Sequence, residues 1–242
     1  MSAPVLMIGG LDSSGGAGVL RDCAVANAFG VTARVAVTAV TAQSDHAVSA
    51  VHLVSPDTVR AQIAIAGQVG AVKIGMLGTA GTVRAVADTL PPAPCVLDPV
   101  LMSSSGHMLL DEAGTEALLD CLLPKTDLLT PNLPELSALA RHFGLAPKEH
   151  EACVARLLQR GCGAVLVKGG HAGGTESVDR LYRPGLPVVP FTAPRTNSTL
   201  RGTGCRLASA IAAHLSKGAR LVSAIETGKA HVHEALSSTS PP

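Results

Sequence analysis

The sequence predicts an α/β fold in which a mostly parallel sheet is covered by helices on both faces. Three observations carry this. Short apolar runs alternate with helix-period segments from one end of the chain to the other. Apolar residues make up 47% of the 242, but aromatics only 2%, and Trp is absent. The core must therefore be Val, Leu, Ile and Ala, which suits buried parallel strands flanked by Ala-rich helices. Finally, clusters of glycine and polar residues recur where a strand ends or a helix begins, the edge at which open α/β sheets bind ligands.

Taken in order, Val5 to Ile8 reads as the first strand, followed by a loop, Gly9 to Gly18, with glycines at 9, 10, 15, 16 and 18. Such a loop lets backbone approach a ligand closely. A helix runs to about Phe29 and stops at Gly30. Ala33 to Val40 alternates as a strand and ends in Thr41-Ala42-Gln43. Pro56 opens a helix with Asp57 as its expected cap. Ala71 to Leu77 is a short strand containing Gly75-Met76. Thr79 to Leu90 is helical, and Pro91-Pro92-Ala93-Pro94 breaks it. Cys95 to Leu97 delivers Asp98-Pro99-Val100, and Leu128-Leu129 delivers Thr130-Pro131-Asn132 to a helix reaching about Phe143. Ala164 to Val167 ends in Lys168-Gly169-Gly170-His171. Ser177 to Tyr182 and Val188 to Phe191 form a hairpin around Pro184-Gly185. A helix starts near Gly204, its stripe of Ala208, Ile211, Ala212 and Leu215 facing the core. The last helix spans about Ala219 to Leu236, and the residues from Ser237 to Pro242 fray. No repeat, low-complexity block or linker divides the chain, which reads as one domain, 1–242.

Net charge is +1, from 19 basic and 18 acidic residues without a like-charge run. Nothing in this suggests a nucleic-acid groove or membrane-surface patch. The cysteines (Cys23, Cys95, Cys121, Cys153, Cys162, Cys205) form no C-x-x-C pair. The N-terminus lacks a signal-peptide pattern, and no stretch approaches the ~18 apolar residues of a membrane span. A cytoplasmic protein with reduced thiols is expected. His231 and His233, without acidic or thiol partners at ligand spacing, read as solvated surface.

Gly202-Thr203-Gly204-Cys205, opening a helix, makes an anion cradle, because the free N–H groups carry the positive end of the helix dipole. The same field should favour a Cys205 thiolate. Taken alone, the stretch reads slightly better as an ordinary glycine-rich entrance to a core helix. It does not stand alone. The loop carrying Asp12, Gln43, Gly75-Met76, Asp98, Asn132 with Glu135, and Lys168 share its position at the sheet edge. Individually these can be turns or caps, with Asn132 a good N-cap and Asp98 a candidate for one. Together they supply phosphate donors, carboxylates for a magnesium ion and a base, which is the inventory of phosphoryl transfer. The chain has no G-x-x-x-x-G-K-[ST] loop, and no G-x-G-x-x-G follows the first strand. Ser103-Ser104-Ser105-Gly106 lacks the flanking glycine of a nucleophile elbow and reads as a flexible loop over the site.

In order and spacing, Gly10-x-Asp12-x-Ser14-Gly15-Gly16-Ala17-Gly18 with Asp22, Thr38-Ala39-x-Thr41-Ala42-Gln43, Lys73-Ile74-Gly75-Met76, Asp98-Pro99-Val100, Thr130 to Glu135, Val167 to His171 and Gly202 to Cys205 cover nearly the whole chain. The series resembles the hydroxymethylpyrimidine/phosphomethylpyrimidine kinases of thiamine biosynthesis, a branch of the ribokinase-like superfamily. The resemblance implies a three-layer ribokinase-like fold, a homodimer, and ATP- and Mg2+-dependent phosphorylation of 4-amino-5-hydroxymethyl-2-methylpyrimidine and of its monophosphate. It further implies that Gly10, Asp22, Gln43, Met76 and Val100 hold the pyrimidine, and that Asp98 and Glu135 organise magnesium directly or through water. Asn132, Lys168 and Thr203 would meet ATP, and Gly202, Thr203, Gly204 and Cys205 would stabilise the transferring phosphoryl group. Cys205 stands where other ribokinase-like enzymes place an aspartate base. Two roles are open to it, thiolate base or backbone member of the cradle, and the base is favoured.

The chain departs from the family at Thr199-Leu200-Arg201, usually Asn-Thr-His, and at Arg206, usually Thr or Ser. Surface charge is the commoner fate of Arg, but Arg201 and Arg206 flank the cradle and would favour an acceptor that already carries a phosphate. The alternatives are a pyridoxal/pyridoxine kinase, which shares the Gly-Thr-Gly-Cys signature, and a non-catalytic sensor. A pure binder would not need Asp98, Glu135, Lys168 and Cys205 together.

Overall fold

The computed structural model describes residues 2–44, 46–103, 106–170, 174–196, 198 and 200–238. Ser104 and Ser105 of the expected site loop, His171, Thr199 and the tail at 239–242 lie outside these. The described strands form one sheet: β1 (Val5–Asp12), β2 (Ala33–Gln43), β3 (Val48–Leu53), β4 (Ala71–Ile74), β5 (Cys95–Leu97), β6 (Leu128–Leu129), β7 (Val165–Val167), β8 (Glu176–Arg183) and β9 (Leu186–Pro194). Their order is β3-β2-β1-β4-β5-β6-β7-β8-β9. All pairings from β2 through β7 are parallel; β3, β8 and β9 add antiparallel edges. The chain goes from β1 to β2 on one side and returns to β4 on the other. The crevice between β1 and β4 is thus a topological switch point, where such sheets bind ligands.

The helices are α1 (Gly18–Ala28), α2 (Pro56–Ile65), α3 (Ala80–Thr89), α4 (Glu112–Ala117), α5 (Leu133–His142), α6 (His150–Gln159), α7 (Thr203–Leu215) and α8 (Leu221–Ser237). Alternation along the strands divides the core. Leu6, Ile8, Val72, Ile74, Leu97 and Leu129 face residues of α2, α3, α5 and α6. Val5, Met7, Ala71, Val96, Leu128 and Leu166 face α1, α7 and α8. The expected arrangement of a mostly parallel sheet between two helical layers is the one observed.

Several local expectations are corrected. The first strand does not end at Ile8: Gly9 to Asp12 continue it, with a register shift between Gly9 and Gly10. Ser55, not Asp57, caps α2, its hydroxyl accepting the Thr58 N–H at 3.2 Å, because Pro56 takes the first helical position. Asp57 pairs with Arg60 in the first turn instead. Asp98 caps no helix and enters an ion pair described below. His231 is not solvated surface, since its ring packs edge-on against Phe29 at 5.0 Å. β3, α4 and α6 went unread in the sequence. Leu118–Leu122 continues α4 as a wider π-type turn.

Candidate active site

α7 begins where the chain turns left-handed at Gly202, with φ at +72°, a conformation that costs a side-chain-bearing residue about 1–2 kcal/mol. The first helical bond runs from the Arg206 N–H to the Gly202 carbonyl at 2.8 Å. The N–H groups of Thr203, Gly204 and Cys205 therefore have no acceptor within the helix, as an anion cradle requires. Gly204 is small for a second reason. A Cβ there would stand 3.1 Å from Lys168 Nζ and 3.4 Å from Asp98 Oδ2, so its absence lets these charges reach the cradle.

Lys168, just past β7, donates to Asp98 Oδ1 at 2.6 Å and lies 3.7 Å from Glu135 Oε2. Burial alone would lower the lysine pKa, but Asp98 and Glu135 outweigh it and hold the ammonium above its usual range. Thr130 donates a second bond to Asp98 Oδ1 at 3.1 Å, leaving Oδ2 on the side of Gly204. Asn132 caps α5 as expected, in a reciprocal box: its Oδ1 accepts the Glu135 N–H at 2.8 Å and its N–H donates to Glu135 Oε2 at 2.7 Å. Burial pushes the Glu135 carboxyl up to about 7, against the pull of Lys168. Two carboxylates from neighbouring strand ends thus converge on one cation.

Below Cys205 lies a second charge pair that the sequence reading missed. Lys73, in the middle of buried β4, donates to Asp22 of α1 at 2.7 Å, and Ser209 of α7 donates to the other Asp22 oxygen at 2.8 Å. Asp22 has no exposed surface, and both its oxygens are engaged by Lys73 and Ser209. The expected thiolate at Cys205 is also corrected. Burial pushes its thiol up to about 11, outweighing the Lys73 ammonium and the Gly18 N–H, while Asp22 and Asp98 add to the rise.

On the other flank, a Cβ on Gly10 would lie 2.9 Å from Met76 Sδ, so β1 and the end of β4 meet in close contact. Thr38 holds the Met76 carbonyl at 2.6 Å. Gln43 ends β2, where Thr41 donates to its Oε1 at 3.2 Å. Val100 follows β5 and is half-buried. Arg201 does not stand open beside the cradle; its fork reaches Asp12, Ser14 and the Ser44 carbonyl. Arg206 lies near enough to Arg21 and His231 to influence them electrostatically.

Asn132, Lys168, Thr203 and Gly204 line one cavity of about 390 Å³, together with Leu207 of α7 and Val232 and Leu236 of α8. Along the sheet edge the order is Gln43, Gly10, Met76, Asp98, Asn132, Lys168, with the cavity at the Asn132–Lys168 end and α7 packed over β4 and β5.

The family described as phosphomethylpyrimidine kinase matches residues 12–242. The chain belongs to that family. A hydroxymethylpyrimidine/phosphomethylpyrimidine kinase from Rhizobium meliloti (strain 1021) is 41% identical over 247 residues, 98% of this chain and 91% of its own. The crystal structure of phosphomethylpyrimidine kinase from Clostridium difficile 630 superposes with a TM-score of 0.81 at 32% identity, covering 96% of this chain and 99% of that one. A Staphylococcus aureus pyridoxal kinase in complex with AMP-PCP and pyridoxal reaches 0.85 at 28% identity, covering 98% and 88%. The backbone does not separate the two kinds of kinase, but sequence identity favours the pyrimidine one.

As a member of the phosphomethylpyrimidine kinase family the chain is a phosphotransferase with the ribokinase-like fold, and a kinase uses ATP. Within this frame the cavity contains residues that the sequence reading missed. Lys229 of α8 pairs with Asp179 of β8 at 2.9 Å, and Asp179 accepts the Gly169 N–H at 2.7 Å, next to Lys168. Arg195 binds the Gly170 carbonyl at 2.7 Å. A charged residue on an otherwise buried strand or helix face, such as Lys73 or Lys229, was the available signal, because a buried charge requires a partner. Among the described residues no cluster of three or more His, Cys, Asp or Glu could hold a metal, and no helix is long and apolar enough to cross a membrane.

Proposed function

We propose that this chain transfers the γ-phosphoryl group of ATP to the hydroxymethyl oxygen of 4-amino-5-hydroxymethyl-2-methylpyrimidine, and then to the phosphate of the monophosphate, as one kinase domain across residues 1–242. The observation that carries the reading is the order along the sheet edge. Gln43, Gly10, Met76 and Val100 follow strands toward one end of the sheet edge, and Asn132, Lys168 and the cavity they share with Thr203 and Gly204 of the cradle lie toward the other. An acceptor on the first side and a nucleotide on the second would meet at Gly202 to Cys205.

In this reading Gln43 pairs with the ring edge, while Met76 and Val100 contact its flat face. Asp22 supports this side from below through Lys73. Lys168 and Asn132 hold the ATP phosphates, and the N–H groups of Thr203, Gly204 and Cys205 receive charge on the transferring group. The acceptor oxygen bonds to phosphorus as the bond to the departing ADP oxygen breaks, and the hydroxyl proton passes to Cys205 through the minor thiolate fraction that burial leaves at neutral pH. Asp98 and Glu135 suit Mg2+, which takes one or two carboxylates together with substrate phosphates. Asp98 Oδ2 faces the cradle, and Glu135, raised by burial, gains from a further cation. The ion would supply charge neutralisation for the phosphates. A cytoplasmic setting and a pair of copies complete the reading; exposed Val35, Val40 and Leu53 of β2 and β3 supply apolar surface for pairing.

The deciding measurement is ATP consumption with the pyrimidine alcohol, its monophosphate and pyridoxal side by side, with and without Mg2+. Turnover of both pyrimidines that requires Mg2+ is expected. A higher kcat/KM for pyridoxal would transfer the assignment to the pyridoxal kinases, and no turnover of any acceptor would make the chain a binding protein.

A further inference from the structure

We infer that Arg201 is a positioning residue for the acceptor, fastening the glycine-rich loop and the end of β2 to the N-terminus of α7, rather than a reader of acceptor phosphate. The residue stands immediately before Gly202. Its Nη2 donates to Asp12 Oδ2 at 2.9 Å, and its Nη1 to Ser14 Oγ at 3.1 Å and to the Ser44 carbonyl at 2.9 Å. Asp12 is in turn built into the loop. Its Oδ1 accepts the Ser14 N–H at 2.9 Å and the Ser14 hydroxyl at 2.8 Å, and its Oδ2 accepts the Ala17 N–H at 3.0 Å. Ser13 closes the circuit from the same loop: its hydroxyl donates to the Gln43 carbonyl at 3.2 Å and accepts the Gln43 N–H at 3.0 Å.

Three segments remote in sequence therefore meet at one guanidinium, and Gln43 lies inside the ring they form. The Arg201–Asp12 pair is well sheltered, with side-chain exposures of 15% and 4%, so solvent screens it less than a surface bridge. A planar fork holds a carboxylate, a hydroxyl and a carbonyl at fixed angles from separate nitrogens, whereas an ammonium's three donors all radiate from one atom. With its fork occupied in this way, Arg201 sets where Gln43 sits relative to the cradle. It acts on the acceptor whether or not that acceptor carries a phosphate.

The inference rests on the proposed placement of the acceptor at Gln43 and of ATP at Lys168. Its test is steady-state kinetics of Arg201→Met and Arg201→Lys with the alcohol, with the monophosphate and with ATP varied in turn. Arg201→Met should raise KM for both acceptors by about ten- to hundredfold, the worth of a charge-assisted bond, and leave KM for ATP at its wild-type value. Arg201→Lys should recover only part of the loss. A KM change confined to the monophosphate and restored by Lys, which serves phosphate well as a point charge, would overturn the inference in favour of phosphate reading. A matching rise in KM for ATP would overturn it in favour of general loosening. Wild-type protein that turns over neither pyrimidine would instead overturn the functional reading, and this inference with it. Should Arg201→Met fail to fold, Ser14→Ala removes one of the acceptors and should raise both acceptor KM values by roughly two- to tenfold; unchanged values would overturn the role.

Discussion

At Cys205 burial works against the Lys73 ammonium and the Gly18 N–H, and burial wins. A thiol held near 11 is almost wholly protonated at neutral pH. The thiolate that a base role needs then grows about tenfold per pH unit below that value. If the thiolate takes the proton, kcat rises with pH between 7 and 9 on that slope. Cys205→Ala should flatten the rise and lower kcat by about 10²–10⁴. A pH-independent kcat retained in the alanine variant would leave only the backbone N–H at work. The residues themselves were visible in the sequence; their electrostatic state was not. Nothing near Cys205 in the chain announces Asp22, Lys73 or Asp98, and burial, the largest influence on the thiol, is set by tertiary packing.

The entrance to α7 joins the site to the fold at the scale of an element. Gly202→Ala places a side chain at φ +72° and against the Gly16 carbonyl. It should destabilise the protein by at least about 1–2 kcal/mol, read from urea unfolding, and lower kcat because the cradle shifts. Wild-type stability and kcat together would show that the turn is not strained as described. Elements with strong periodicity or good caps, such as α5 with its Asn132–Glu135 box, were legible. α6 lacks a side-chain cap, and α4, although Asp111 caps it by accepting the Gly114 N–H at 2.7 Å, is only six residues long before it passes into a π-type turn. β3 is an exposed, half-polar edge strand whose only partner is β2, so its burial pattern says little. The glycines of β1 suggested a loop where sheet pairing in fact continues.

Across the whole molecule, Lys73 joins β4, α1 and α7 through Asp22 and Ser209. Removing one partner of so deeply buried a pair costs about 3–5 kcal/mol. Lys73→Met should lose that much in chemical denaturation, and a loss within experimental error would mean that Asp22 is neutral in the folded protein. The alternation of strands and helices was enough to predict the layered sheet, because each element buries its own stripe. The pairing of edge strands and the long-range ion pairs depend on contacts between residues far apart in the chain, such as Asp22 with Ser209 or Asp12 with Arg201, and no local pattern encodes those.

The strand order has a consequence for how such kinases can diverge. On the proposed assignment, acceptor contacts would come from the ends of β2, β1, β4 and β5, and donor contacts from the ends of β6 and β7 and from the cavity beside α8. Substitutions at the first set can change which vitamin precursor is taken up while the second set goes on handling the same nucleotide. A lineage can therefore inherit its phosphoryl donor unchanged and exchange its acceptor. That fits a pyridoxal kinase superposing with a TM-score of 0.85 on a chain with which it shares only 28% of its residues.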